Sequence, residues 1–382
     1  MFFEIAKKKN EVFGSYCTLP NGLTFSSDLG WQVVENYNCH VLYKGYNLED
    51  LSLNNLIDQC IHDPTPRYRG NFFLIISTAE KTIITHNIDR SSPLTLKDQS
   101  VSNLYVDETH SIWADRFLTI NKNFEVTKTF FQPFKSNVIE LDYEASIKKV
   151  DKILSETFEK FLSTNIKPIK VFLSGGIDTL TGLAYLDKFT KNYEIVDYHY
   201  KKITHFYKHN YLSRLQKFWT YNQMHTWGEV PTVLLSGAHG DETFLRGPTT
   251  ANMMCIHHGI DLIHELESQP NCYHYKYFQR EKNCKLIIEQ CKNVELKNKL
   301  KNRETVMYEI LNILVNDHQH WHIDETIFFT PLKNLEISTV LLNLPKKHFL
   351  DQVLNAGFQK QLIENIDPNK LKLLNKFKNH QE

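Results

Sequence analysis

The sequence predicts an α/β chain: a mainly β, layered N-terminal domain, then a domain built on a parallel sheet that ends in a helical part. Three observations lead there. In the first third, short aromatic and β-branched runs alternate with turns. Later, apolar strands at 169–173, 194–200 and 232–235 alternate with helical stretches, the pattern of a parallel sheet. Beyond Pro248 helical spacing takes over, at 252–268, 272–292, 303–316, 334–344 and 346–364. The run Phe131-Gln-Pro133-Phe-Lys-Ser-Asn137 interrupts the pattern, dividing the chain into domains at 1–140 and 141–382.

Each element has a local cause. Arg69-Gly70-Asn71-Phe72-Phe-Leu-Ile-Ile76 and Lys81-Thr-Ile-Ile-Thr-His86 are two β-rich runs joined through Thr78-Ala-Glu80, which predicts a hairpin. A polar turn, Asp89-Arg90-Ser-Ser-Pro93-Leu94, follows it. Over Asp142–Leu162, Ala145, Ile147, Val150, Ile153, Leu154, Phe158 and Phe161 recur at helical spacing. Ile169-Lys-Val-Phe-Leu173 reads as a buried strand. Ser174-Gly-Gly makes a tight turn, since glycine alone adopts φ > 0 cheaply, and Thr179–Lys188 continues as a helix. A second apolar strand, Thr232-Val-Leu-Leu235, runs into Ser236-Gly-Ala-His-Gly-Asp241-Glu242. The Lys-rich tail, Asn369–Glu382, is a helix end or a frayed terminus.

Composition narrows the function classes. Apolar residues make up 41% and charged residues 23% of 382, ordinary globular values. Lys+Arg and Asp+Glu both number 44, so no basic balance marks a nucleic-acid binder. No run approaches the roughly 20 apolar residues that span a bilayer. In Met1-Phe-Phe-Glu-Ile-Ala-Lys-Lys-Lys the basic residues follow the apolar ones, the reverse of a signal peptide. Seven cysteines, an odd number with no C-x-x-C pair, point to a reduced cytoplasmic interior. The expectation is a cytoplasmic protein with no nucleic-acid or membrane partner, and with oligomerisation left open.

A strand, a glycine turn and a helix start together aim unpaired N–H groups and a positive helix end at one place, which suits a polyphosphate. The loop is not the G-x-x-x-x-G-K-S/T loop of γ-phosphate transfer. Ser174-Gly-Gly-Ile-Asp178-Thr179 resembles instead the S-G-G-x-D-S pyrophosphate loop of the asparagine synthetase (glutamine-hydrolysing) family of N-type ATP pyrophosphatases. In that family S-G-E-G-x-D-E follows a later strand, and Ser236–Glu242 resembles it. Phe329-Thr-Pro331-Leu-Lys and Leu342-Asn-Leu-Pro345 resemble the late x-P-F-L-D segment and the helix that ends at L-P. Arg69–Leu94 resembles the G-x-F and D-R-x-G-x-x-P-L run of the glutaminase-like (Ntn-type) domain.

The resemblance implies ATP and Mg²⁺ as cofactors and an acyl-adenylate chemistry. A small-molecule or peptide carboxylate is adenylated, pyrophosphate leaves, and an amine or ammonia attacks the acyl carbon. Ser174, Gly175, Gly176 and Thr179 would hold pyrophosphate, with Ser236 and Gly237 of the second loop beside the nucleotide. Thr179 keeps a hydroxyl where the family has serine, whereas Leu180 replaces a second serine. Asp178 and Asp241 would bind Mg²⁺, with Asp178 taken as a loop carboxylate outside the core. The other roles open to them are an N-cap for Asp178 and a solvated loop acid for Asp241. Glu242 is a partner of that site or a cap. Lys376, with Lys378 beside it, loosely resembles the lysine that neutralises pyrophosphate, and is otherwise a solvated tail residue.

The chain departs from the family in ways that bear on activity. Ala238 replaces the glutamate of S-G-E-G-x-D-E, and His239 beside it is either an acid/base or an exposed loop residue. Only 63 positions separate Asp178 from Asp241, with Tyr207–His225 supplying one helix between them. Ile327 and Phe329 replace a buried charge pair. The glutaminase half lacks its N-terminal cysteine nucleophile: position 2 is Phe2, and Cys17 lies inside the chain. In this respect the chain resembles β-lactam synthetases and lasso-peptide cyclases. The expected function is an AMP- and pyrophosphate-forming ligase without glutaminase activity. The alternatives are an amide-forming cyclase or amidotransferase on a peptide or specialised metabolite, and an inactive nucleotide- or partner-binding homologue. His318-x-His320-Trp-His322 alternates like metal ligands on a strand. Tyr198-His-Tyr200 and Tyr273-His-Tyr275-Lys-Tyr277-Phe278 are packing aromatics or a surface for adenine.

Overall fold

Period-two alternation shapes the N-terminal half. In the computed structural model the described residues are 3–11, 13, 15–36, 39–88, 94–103, 111–112, 115–131, 141–173, 175–197, 232–316 and 327–374. Among the described residues twelve strands precede residue 131, beginning with β1 (Phe3–Ala6), β2 (Ser15–Thr18), β3 (Thr24–Ser27), β4 (Gln32–Asn36), β5 (Cys39–Asn47) and β6 (Gly70–Ser77). Then follow β7 (Lys81–His86), β8 (Leu94–Lys97), β9 (Ser100–Ser102), β10 (Ser111–Ile112), β11 (Arg116–Asn121) and β12 (Val126–Phe130). They form two six-stranded sheets, ordered β10-β8-β9-β1-β3-β2 and β12-β11-β7-β6-β5-β4.

Alternate residues of β5 and β6 serve two layers. Leu42, Phe73 and Ile75 face Phe3, Ile5 and Phe25 of the other sheet in one core. Their neighbours Val41, Tyr43, Phe72, Leu74 and Ile76 pack on Leu56, Ile57 and Cys60 of the helix Leu53–His62. The expected hairpin is β6–β7, with Ser77 opposite Thr82 and the Thr78 N–H donating to Lys81 O at 2.8 Å.

The second half carries a four-stranded parallel sheet, β13 (Ile169–Leu173), β14 (Glu194–Asp197), β15 (Val233–Leu235) and β16 (Ile327–Phe329), ordered β14-β13-β15-β16. The molecule is thus a mixed α/β structure with two antiparallel sheets, one parallel sheet and helices. The helix Tyr143–Thr164 lies on it, its N-terminus capped by Asp142, whose carboxylate accepts the Ala145 N–H at 2.7 Å. Its face of Ile147, Val150, Ile153, Leu154, Phe158 and Phe161 is buried. Tyr46 at the end of β5 enters the same core, edge-on to Phe161 and Phe329.

Several boundaries differ from expectation. β16 occupies a stretch for which the sequence predicts no strand, because a three-residue run shows no alternation. Its Phe329 stacks on Phe161 at 3.8 Å, so aromatic packing joins this strand to the helix Tyr143–Thr164. The helix expected at 252–268 is two, Pro248–His257 and Leu262–Ser268, broken at Gly259 with φ 66° and restarted by the Asp261 cap. The one expected at 346–364 breaks at Ala356, whose φ is 56°, into Lys346–Asn355 and Gly357–Ile366. The stretch 272–292 divides into Tyr275–Phe278 and Glu281–Lys292.

Candidate functional site

β13 and β15 are parallel neighbours, so both glycine loops leave the same edge of the sheet, as ligand-binding loops of open α/β sheets do. Gly175 has φ 73° and supplies the left-handed turn; Gly176 is extended, with φ −80°, and serves as N-cap of the helix Ile177–Phe189. Asp178 therefore sits inside the first turn of that helix and is not its N-cap, one of the two roles the sequence left open. The Thr179 hydroxyl donates to Gly176 O at 3.0 Å, which commits to the loop a hydrogen that was expected on pyrophosphate. Leu180, in place of a serine, is fully buried.

The second loop is pressed onto the first. A β-carbon added to Gly237 would fall 2.5 Å from the Thr179 nitrogen. Ser236 Oγ accepts the Ala238 N–H at 3.1 Å and closes the turn. His239, which aligns with the second glycine of S-G-E-G-x-D-E, has φ 61°, a conformation glycine adopts without strain. Its side chain is only 4% exposed, so the exposed-loop alternative for His239 does not hold.

Asp178 and Asp241 are brought together, but around a cation that sequence reading missed. Arg246, 2% exposed, reaches Asp178 Oδ1 through Nη2 and Asp241 Oδ1 through Nη1 at 2.9 Å. Its Nε donates to Gln359 Oε1 at 2.6 Å, and Gln359 Nε2 returns a bond to Asp178 Oδ1 at 2.9 Å. Nη1 also lies 3.0 Å from His274 Nε2, while His274 Nδ1 is 2.9 Å from Val353 O. The carbonyl accepts only from an N–H, so these partners assign the His274 proton to Nδ1 and leave Nε2 as acceptor. Burial works against the guanidinium's charge, but Asp178 and then Asp241 outweigh it and hold Arg246 above its ordinary range. Gln352 completes the lattice, accepting the Gln359 N–H at 3.2 Å and donating to Phe244 O at 3.2 Å. Asp241 is not the solvated loop acid of the other sequence reading: it is 36% exposed and ion-paired.

Mg²⁺ fits this arrangement poorly. Asp178 Oδ1 already takes two donors, and the cation between the carboxylates is the chain's own. No group of three or more His, Cys, Asp or Glu placed to hold a metal occurs among the described residues. Arg246 had a signal in sequence: a cation inside Phe244-Leu-Arg-Gly-Pro248 must find a buried acid. Gln359 had none. In Tyr273-His-Tyr275 the middle residue, His274, is buried against Arg246. Ser174, Lys376, Lys378, Asp89–Pro93, Phe2, Tyr198–Tyr200, Tyr207–His225 and His318, His320 and His322 lie outside the described residues.

No protein-family model matches the chain, and no curated protein matches its sequence. Among solved structures it is similar to a glutamine phosphoribosylpyrophosphate (PRPP) amidotransferase from B. subtilis complexed with ADP and GMP, at 9% identity and a TM-score of 0.21. The likeness covers 58% of this chain and 63% of that one. The chain thus spans less than two thirds of that enzyme, and so distant a likeness carries no argument about the site. Among the described residues no helix is long and apolar enough to cross a membrane.

Proposed function

We propose that this chain binds ATP at the paired loops and acts as an AMP- and pyrophosphate-forming ligase, joining a carboxylate to an amine without hydrolysing glutamine. The observation that carries this reading is the interlock of Gly237 on Thr179 and Gly240 on Asp178, which makes one cradle of two sequence motifs. Gly175 and Gly176 would present backbone N–H groups to phosphate at the start of a 13-residue helix, whose dipole favours an anion there. Ser174, which precedes them in sequence, is proposed to contribute to the same phosphate site. Lys376 is the proposed counter-charge for pyrophosphate, and buried His239 the proposed acid/base beside Ala238. The acyl donor and amine are a small molecule or a peptide.

A second reading is a nucleotide-binding homologue that has lost catalysis. Ala238 and the engagement of both Asp178 and Asp241 by Arg246 favour it. Incubation with ATP, Mg²⁺ and a panel of carboxylic acids and amines separates the two. The ligase reading expects AMP and pyrophosphate that increase with one acid. ADP and phosphate as products would overturn the family assignment, and ATP binding without turnover would support the second reading.

A further inference from the structure

We infer that Arg246 is the resident cation of the loop site, and that the Asp178–Asp241 pair does not take a divalent metal. The inference rests on reading these loops as the nucleotide site. In that setting two carboxylates from adjacent loops mark where a hard cation bridges protein and phosphate. Here the bridging partner is a guanidinium anchored from four directions. Nη2 holds Asp178, Nη1 holds Asp241 and touches His274, and Nε holds Gln359.

Geometry makes the substitution permanent. Arg246 leaves the backbone immediately after the acidic turn, and its own N–H donates to Asp241 O at 2.6 Å. The Gly247 N–H shares that carbonyl at 2.8 Å. Gly247 and Pro248 then start the helix Pro248–His257, which holds the side chain inside. Leu245 just before it has φ 58°, in the left-handed region. A metal ion would have to displace Arg246 from Asp178 Oδ1, where Gln359 also donates, or share the carboxylates with a neighbouring positive charge. Arginine, planar and forked, suits two acceptors at once. Nη1 is engaged by Asp241 and His274 and Nε by Gln359, so beyond the bond to Asp178 only one Nη2 hydrogen is left for phosphate. A nucleotide would then bind through loop backbone and not through a metal fixed by Asp178.

The test uses the full chain and Mn²⁺ alone, with free Mn²⁺ read by electron paramagnetic resonance. Wild type and Asp178→Asn should take up the same amount. Arg246→Met should gain an ion that Arg246→Met/Asp178→Asn lacks. An ion bound by wild type and lost in Asp178→Asn would overturn the inference. If circular dichroism shows Arg246→Met unfolded, the comparison of wild type with Asp178→Asn decides alone. ATP affinity is then measured in EDTA and in Mg²⁺. Equal affinity, or a Mg²⁺ gain that persists in Asp178→Asn, supports the inference. A gain of about 5–150-fold, the usual range of coupling between ligands, that vanishes in Asp178→Asn overturns it. If ATP binds in neither buffer, the nucleotide reading fails, while the Mn²⁺ comparison still decides the cation.

Discussion

Gly240 stands so close to Asp178 that a β-carbon on it would fall 2.2 Å from the carboxylate oxygen Oδ1. The two loops therefore depend on a missing side chain at each of two points. Gly237→Ala would drive a methyl group into backbone, with the Thr179 nitrogen at 2.5 Å and the Asp178 carbonyl carbon at 2.7 Å. Gly240→Ala would meet a side chain, which turns aside more easily but releases Arg246. Overpacking of this kind destabilises by about 1–3 kcal/mol, and Gly237→Ala should reach or exceed the upper figure. Gly22→Ala is the control. Its φ is 83° with nothing within 4 Å, so only backbone strain of about 1–3 kcal/mol applies. Urea midpoints should rank the three with Gly237→Ala lowest. Equal midpoints for Gly237→Ala and Gly22→Ala would mean that the loops are not packed together.

Asp178 is a structural partner as well as a proposed site residue. Read from sequence it was a loop carboxylate whose removal spares the fold; in the structure it faces a buried guanidinium. Breaking a buried ion pair from one side costs about 3–5 kcal/mol. Asp178 is 19% exposed and Asp241 remains paired to the same arginine, so Asp178→Ala should fall near the lower figure. Denaturation with and without ATP measures this apart from binding. Unchanged stability would show that Asp241 and Gln359 suffice to hold Arg246.

Legibility in sequence followed range. The two glycine loops, the hairpin β6–β7 and the Asp142-capped helix were read because each is set by residues a few positions apart. β16 was missed because Ile327-Phe-Phe329 has neither length nor alternation, and becomes a strand only by pairing with β15. The breaks at Gly259 and Ala356 escaped because apolar periodicity continues across them. The Arg246 cluster joins residues 68 and 113 positions distant, and no local rule links Gln359 to Asp178. The carboxylates were identified, and the group that holds them was not.

His258 predicts a pH dependence unrelated to the site. Burial, then the nearby His257 and Lys346, push its pKa down from 6.5 to about 4. The folded chain resists protonating it, so its contribution to stability is present above about pH 6.5. That contribution is lost as pH falls through this value toward about 4. The full slope would be about 1.4 kcal/mol per pH unit, reduced because the ring, packed on Phe349 at 5.0 Å, is only partly buried. Stability measured across this window should be flatter in His258→Gln. An unchanged slope would assign the effect to other groups.

Glutamine should yield no glutamate. Cys17 lies in β2 opposite Phe25, and burial pushes its thiol up, away from the thiolate a nucleophile needs. A coupled glutamate assay should stay at background with ATP present or absent. Glutamate release that disappears in Cys17→Ala would reveal a thiol chemistry in the sandwich.

The edge-on meeting of Tyr46 with Phe161 and Phe329 has a consequence for how the chain is handled. One aromatic ring from the β-sandwich completes the hydrophobic interior of the parallel-sheet half. A fragment beginning at residue 141 would bare two stacked phenylalanines to water and invite self-association. The intact chain should melt in a single transition. Tyr46→Ala should separate the melting of the halves, turning a shared interior into two weaker ones.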